Sequence, residues 1–273
     1  MAGFCGGSLI FMEPAIAWIL AVALALSAVS FVDDWRGLPA ATRLAAHLLA
    51  AFAFCGLLMT DTLPWLLVAV GLAIAWMTNL YNFMDGSDGL AGGMAVSGFS
   101  SFAVAAWTGG DSSLALACVS LTAASLGFLA FNFPPARIFM GDVGSIPLGF
   151  LAGAIGSLGW QRQLWPAWFP LLVFGPFVVD ASVTLARRLS RGEKVWQAHR
   201  SHYYQRLVQL GWGHLKTAVA EYALMAASAA AALIALDAPA LEQWAILGCS
   251  ATIYGILLGL IDLYWRRSEA ASC

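Results

Sequence analysis

The chain has 273 residues, 61% of them hydrophobic and only 10% charged, with a formal net charge of −2. A soluble domain carries about 25% charged residues, so this is the composition of a polytopic membrane protein, and the slight negative charge excludes nucleic acid as the expected partner. The five cysteines (Cys5, Cys55, Cys118, Cys249, Cys273) stand singly with no CxxC pair, which supports neither a disulfide framework nor a metal site; no basic residue precedes Arg36 in this sequence, so a cleavable signal peptide is not expected from it.

In chain order, nine apolar segments satisfy the ~17–25 residue rule for a membrane span: 15–32, 40–58, 63–81, 90–107, 113–132, 145–160, 166–186, 216–236 and 240–264. The expected fold class is therefore all-α, with about nine transmembrane helices in a single domain over 1–273. The first span closes on Asp33-Asp34. The third closes on "NLYNFMDGSDGLAGG", where Asn79, Asn82, Asp85 and Asp88 recur every three residues. On a helix that spacing drifts about 60° per step and predicts a polar spiral over the last turns. The fifth span closes on "FNFPPARIFMGDVGS" (Phe131 to Ser145), and after the seventh comes a polar stretch, 187–215, holding "HRSHYYQRL" (His199 to Leu207). Asp180 lies inside the seventh span, and an ionisable group there reads as functional or paired.

Alternating the sides of nine spans puts twelve of the thirteen Lys and Arg residues on one face, with Arg162 alone on the other. That face is cytoplasmic by the positive-inside rule, with the N-terminus outside and the C-terminus inside. All four polar clusters fall on it, while the external joints hold only Asp61, Asp111, Arg162, Asp237 and Glu242. Carboxylates and amides facing one cleft suit Mg²⁺ or Mn²⁺, and His199, Arg200, His202 and Arg206 offer donors for phosphate oxygens. Acids, a hard cation and a basic loop at a lipid boundary point to phosphoryl transfer to a lipid.

Each motif has a plainer reading: a solvated helix end for Asp33-Asp34, a turn for "DGSDG", solvated histidines for His199 and His202, and an anionic-lipid contact for the basic run. A secondary transporter also uses intramembrane carboxylates, but here the acids gather at one face and the half-chains show no repeat. A CDP-alcohol phosphotransferase would need Ala-Arg three residues after its Asp-Gly. Asp88-Gly89 is followed by Leu-Ala-Gly-Gly.

Taken in order, Asp33-Asp34 with "WRGLP", "NLYNFMDGSDGLAGG", "FNFPPARIFMGDVGSIPLGF" and "HRSHYYQRL" resemble the polyprenyl-phosphate N-acetylhexosamine-1-phosphate transferases over about residues 28 to 210. The histidine loop is similar to the O-antigen and common-antigen initiating branch, rather than to the peptidoglycan translocase that shares the family. The resemblance implies a bacterial inner-membrane enzyme that moves HexNAc-1-phosphate from UDP-N-acetylhexosamine to undecaprenyl phosphate with Mg²⁺ or Mn²⁺. UMP is released, and a lipid-linked envelope polysaccharide is started.

Residue by residue, it implies that Asp33 and Asp34 position or activate the lipid phosphate, and that Asn82 and Asp142 hold the metal, Asp142 also counting as catalytic. It further implies that Asn79, Asp85, Asp88 and Asn132 line the donor site, and that His199, Arg200 and His202 hold the diphosphate. Membrane lipid is a further partner, and a homodimer is an open alternative. Family members begin with two further spans joined by a glycine-containing cytoplasmic loop. This chain opens "MAGFCGGSLIFMEP", where Gly6-Gly7 faintly resembles that loop's end. The expectation is an N-terminal truncation, inactive in one alternative, or an upstream start.

Overall fold

The computed structural model describes residues 13–60, 62–194, 197 and 199–271. Asp61, Cys5, Gly6-Gly7 and Cys273 lie outside the described residues. Among the described residues every regular element is helical: α1 (Pro14–Arg36), α2 (Ala40–Leu58), α3 (Pro64–Phe83), α4 (Leu90–Thr108), α5 (Ser112–Asn132), α6 (Gly141–Gln161), α7 (Trp168–Val173), α8 (Gly175–Ser190), α9 (Tyr203–Leu207), a π-helical turn (Val208–Trp212), α10 (Gly213–Leu236) and α11 (Ala240–Ala271). Eight helices, with α9 to α10 counted as one, are long and apolar enough to cross a membrane. This bears out the all-α, polytopic expectation.

Helix starts and stops follow local chemistry. Proline sits in the first turn of α1, α3 and α8, where its missing N–H costs nothing. Gly37, at φ +67°, ends α1 by donating its N–H to the Asp33 carbonyl. Asp111 caps α5 by accepting the Leu114 N–H at 2.9 Å. The short joints force antiparallel neighbours, so the carboxyl ends of α1, α3 and α5 meet the amino ends of α2, α4 and α6 at one end of the bundle.

The seventh predicted span departs from expectation. It is two helices, α7 and α8, broken at Phe174 in "LLVFGPF". Pro176 cannot donate to the carbonyl four residues back and its ring would clash there, so the helix restarts at Gly175. The predicted polar spiral is also cut short. α3 ends at Phe83, which leaves Asp85 and Asp88 on the turn before α4.

α6 lies at the centre and is buried along most of its length. A Cβ added at Gly149 would sit 2.7 Å from the Met77 carbonyl oxygen, and one at Gly153 3.1 Å from the Ile74 Cα. Small residues let α6 lie backbone-close to α3, the usual route to tight packing where lipid replaces water. The buried Tyr81 hydroxyl donates to the Ala91 carbonyl at 2.7 Å and holds α4 against α3.

Candidate active site

Three hydrogen-bonded groups meet at the end of the bundle where α1, α3 and α5 finish. The first gathers Asp33, Arg43, His47, Asn79, Asn82, Asp85, Asp142 and Ser145. Asp33 is buried and its Oδ1 accepts the Leu38 N–H at 2.6 Å, locking the turn after α1. Arg43, one turn into α2, sits 3.4 Å from Asp33 and 3.6 Å from Asp142, bridging the two carboxylates. Asp34 is exposed beside them, within electrostatic reach of Asp142.

On α3, Asn79 turns its amide N–H to the Ala75 carbonyl at 2.7 Å and faces His47 of α2. The Nδ1 of His47 is buried without a partner among the described residues. Asn82 Oδ1 accepts the Ser145 hydroxyl at 3.3 Å, which ties α3 to the first turns of α6. Asp85 faces the backbone N–H of Gly141 and the Asp142 carboxylate. Burial first, and then the Asp142 charge, push the Asp85 carboxyl up to about 7 against the pull of that N–H.

The second group stitches two turns together. Asp88 accepts the Ala136 N–H at 3.0 Å and lies 3.9 Å from His214, whose Nδ1 also meets the Ser87 hydroxyl at 2.9 Å. Asn132 accepts the Gly89 N–H at 2.9 Å and donates to the Ile138 carbonyl at 2.8 Å. Both ends of that buried amide are engaged, so its hydrogen-bonding capacity is largely used inside the protein.

The third group is the histidine segment. Asp180 of α8 accepts the N–H groups of Tyr203 and Tyr204 at 2.9 and 3.0 Å, the Thr184 hydroxyl at 3.0 Å and His202 Nδ1 at 3.2 Å. One buried carboxylate thus caps α9 and fixes the His202 ring. His199 lies 4.8 Å from that ring, and Arg200 is exposed. Burial first, then His202 and Arg188, lower the His199 imidazole to about 4, so it is neutral at pH 7. The Tyr204 hydroxyl donates to the Phe83 carbonyl at 3.1 Å, bringing the segment against the turn that carries Asp85.

The outer side of α9 is held by a residue that the sequence reading did not single out. Asp262 of α11 pairs with Arg187 and, at 2.8 Å, with Arg206, and accepts the Tyr203 hydroxyl at 3.3 Å. Arg43 entered the sequence reading only as positive charge and His47 not at all. Their four-residue spacing, which places both on one face of α2, was the signal that would have found them.

The donor set suits a hard divalent cation. Among the described residues no three His, Cys, Asp or Glu side chains close into a metal cage. What stands there is two carboxylates, Asp85 and Asp142, an amide oxygen on Asn82, and one neighbouring guanidinium. Mg²⁺ is commonly held by one or two carboxylates with the rest of its shell from water and substrate phosphate. Asn82 and Asp142 are the residues that could hold it.

A family model described as glycosyl transferase family 4 matches residues 16–159. A probable undecaprenyl-phosphate N-acetylglucosaminyl 1-phosphate transferase of Bacillus subtilis is 34% identical over 165 residues, covering 59% of this chain and 46% of that protein. A phospho-N-acetylmuramoyl-pentapeptide-transferase of Shouchella clausii is 33% identical over 233 residues, 76% of this chain and 70% of that protein. The protein of the same name from Staphylococcus aureus is 27% identical over 246 residues, 80% of this chain and 75% of its own. The chain thus spans less than half of the Bacillus protein's length and about seven-tenths of the Shouchella one's.

Proposed function

This chain belongs to glycosyl transferase family 4, and from that premise we propose that it transfers an N-acetylhexosamine-1-phosphate from a UDP-sugar to undecaprenyl phosphate. The reaction releases UMP at the cytoplasmic face of a bacterial inner membrane and starts a lipid-linked polysaccharide. The observation that carries the reading is the convergence of Asp33, Arg43, Asn82, Asp85 and Asp142 at one bundle end, against the histidine segment.

In the proposed reaction an oxygen of the lipid phosphate attacks the β-phosphorus of the donor in line. The new P–O bond forms as the diphosphate bridge breaks, and UMP carries away the electron pair. Most of the protein's contribution is placement and charge balance. Asp33 orders the turn after α1 and holds Arg43, which is placed to attract an incoming phosphate, while exposed Asp34 orients it. Asn82 and Asp142 are assigned a Mg²⁺ or Mn²⁺ ion, which when bound shields the diphosphate oxygens. Neutral His199 accepts the Ser201 N–H at Nδ1 and so offers its Nε2–H to an outer phosphate oxygen. For His202 the Asp180 carboxylate takes the Nδ1–H, so Nε2 donates to a phosphate oxygen only when the ring carries its second proton. Asp88 and Asn132 act as positioning residues for the turns that carry Asp85 and Asp142.

The test is UMP release by purified chain given undecaprenyl phosphate, Mg²⁺ and a panel of UDP-HexNAc donors. Release that needs both lipid and metal, and falls at least about 10³-fold in Asp142→Asn, supports the reading. A folded chain whose release is indifferent to Asp142→Asn overturns the assigned site.

A further inference from the structure

Between α8, α10 and α11 lies a cavity of about 710 Å³, within the range of small-molecule pockets. No residue of the Asp33–Asp142 cluster lines it. Its walls are mostly aliphatic, but they include two carboxylates, Asp180 and Glu221, and four aromatic side chains, Tyr203, Trp212, Tyr254 and Tyr264, with no Lys, Arg or His. The two carboxylates differ in one respect. Asp180 has four hydrogen-bond donors around it, whereas Glu221 has neither a hydrogen-bond nor an ion-pair partner among the described residues.

Glu221 stands on α10 about 12 Å along the helix from Gly213, inside a membrane-crossing segment. As a carboxylate an acid there is costly, and it marks a site unless something pairs with it. Its neighbours in the cavity do not. The Tyr254 hydroxyl is engaged with Ser228 at 2.7 Å, and Asp180 brings charge of the same sign.

The chemistry of the walls selects the occupant. An anion meets two carboxylates and no cation. A neutral hydrocarbon fills the space and leaves Glu221 unpaired. An organic ammonium on an apolar tail pairs with Glu221, finds the Tyr254 and Tyr264 rings for its positive head, since Arg187 and Arg206 already stand over Tyr203 and Lys216 over Trp212, and lays its chain along the aliphatic walls. We infer that this cavity binds a single-chain cationic amphiphile drawn from the bilayer, with Glu221 as counterion. Such a ligand is opposite in charge to both phosphate substrates proposed above, so the site is separate from theirs and stands or falls independently of the transferase reading.

The test uses the purified full chain in an uncharged detergent with three probes of equal chain length: dodecyltrimethylammonium, dodecanol and dodecyl phosphate. The expected result is a saturable rise in Tm with the ammonium alone, together with quenching or shift of tryptophan fluorescence. Its apparent affinity should weaken about tenfold or more in Glu221→Gln and less in Tyr264→Leu. An equal rise with dodecanol, or a rise with dodecyl phosphate, overturns the inference, as does undiminished ammonium binding by Glu221→Gln. If Glu221→Gln fails to fold, the three-probe comparison on the unsubstituted chain decides alone.

Discussion

Asp180 shows how one side chain can carry a local architecture. Two backbone N–H groups, a hydroxyl and an imidazole all donate to it, so Asn at this position would turn one acceptor into a donor facing other donors. Asp180→Asn is therefore expected to behave like Asp180→Ala, each losing about 10- to 100-fold in UMP release and about 3 kcal/mol of stability, measured by turnover and thermal melting. His199 gives a pH-dependent counterpart. Its imidazole falls to about 4 in the folded chain against an ordinary value of 6.5, so between those values the unfolded chain binds the extra proton. Its contribution is thus fully present above about pH 6.5 and is lost as the pH falls toward 4. His199→Gln should melt with a shallower loss of Tm than the parent between pH 7 and 5, and an identical slope would refute the burial argument. At this scale the sequence was partly legible. Asp33, Asn82, Asp85 and Asp142 stand out in the sequence by spacing and motif, and Asp180 by the oddity of an acid within a span. Asp262 does not, because its meaning depends on Arg187 and Arg206 meeting it from far along the chain.

Eight of the nine segments were legible as elements because hydropathy and length suffice when lipid is the solvent. The seventh was misread as continuous because its apolar pattern runs on through Phe174, although Gly175-Pro176 was visible. The closeness of α3 and α6 was not legible from hydropathy at all. It rests on Gly149 and Gly153, whose role appears only when the facing backbone is known. Gly149→Val must push Met77, Thr78 and Tyr81 away, because the atoms it would meet are a carbonyl oxygen, a Cα and a Cβ rather than flexible side-chain ends. Separating the two helices also parts Asn82 from Ser145. The expectation is a lower Tm and a rise of about tenfold in the Mg²⁺ concentration for half-maximal UMP release. Gly127→Val, at a position with nothing within 4 Å of an added Cβ, should change neither. α11 makes a second element-scale case, since its Asp262 is what grips α9 from outside. Asp262→Asn keeps the shape but removes the charge facing Arg187 and Arg206. It should raise KM for the UDP-sugar more than for the lipid, and equal rises in both would argue for general loosening instead.

For the whole molecule the broken seventh segment decides the topology, because an even number of crossings would put the C-terminus on the other side. Neither α7 nor α8 is long enough alone, yet together 168–190 extend about 34 Å, enough for the hydrocarbon core. Contacts at the two ends show that they do run through. Arg162, just past α6, pairs with Glu13 and, at 2.6 Å, with Asp111, fixing the far end of the bundle. Arg187 near the end of α8 shares Asp262 with Arg206, and α9 beside it reaches Phe83 at the site end. The chain therefore leaves the Arg162 end after α6 and is back at the site end by Arg187. Among the described residues nine crossings follow, and twelve of the thirteen basic residues stay with the site. Because positive charge is retained in the cytoplasm, alkaline phosphatase fused after Gly110 should be active in the periplasm and the same enzyme fused after Gly192 inactive. A green fluorescent protein fused at the C-terminus should fluoresce. Activity at Gly192 with a dark C-terminal fusion would turn the bundle over and place the site on the side where no UDP-sugar is supplied, which would defeat the proposed reaction along with the orientation.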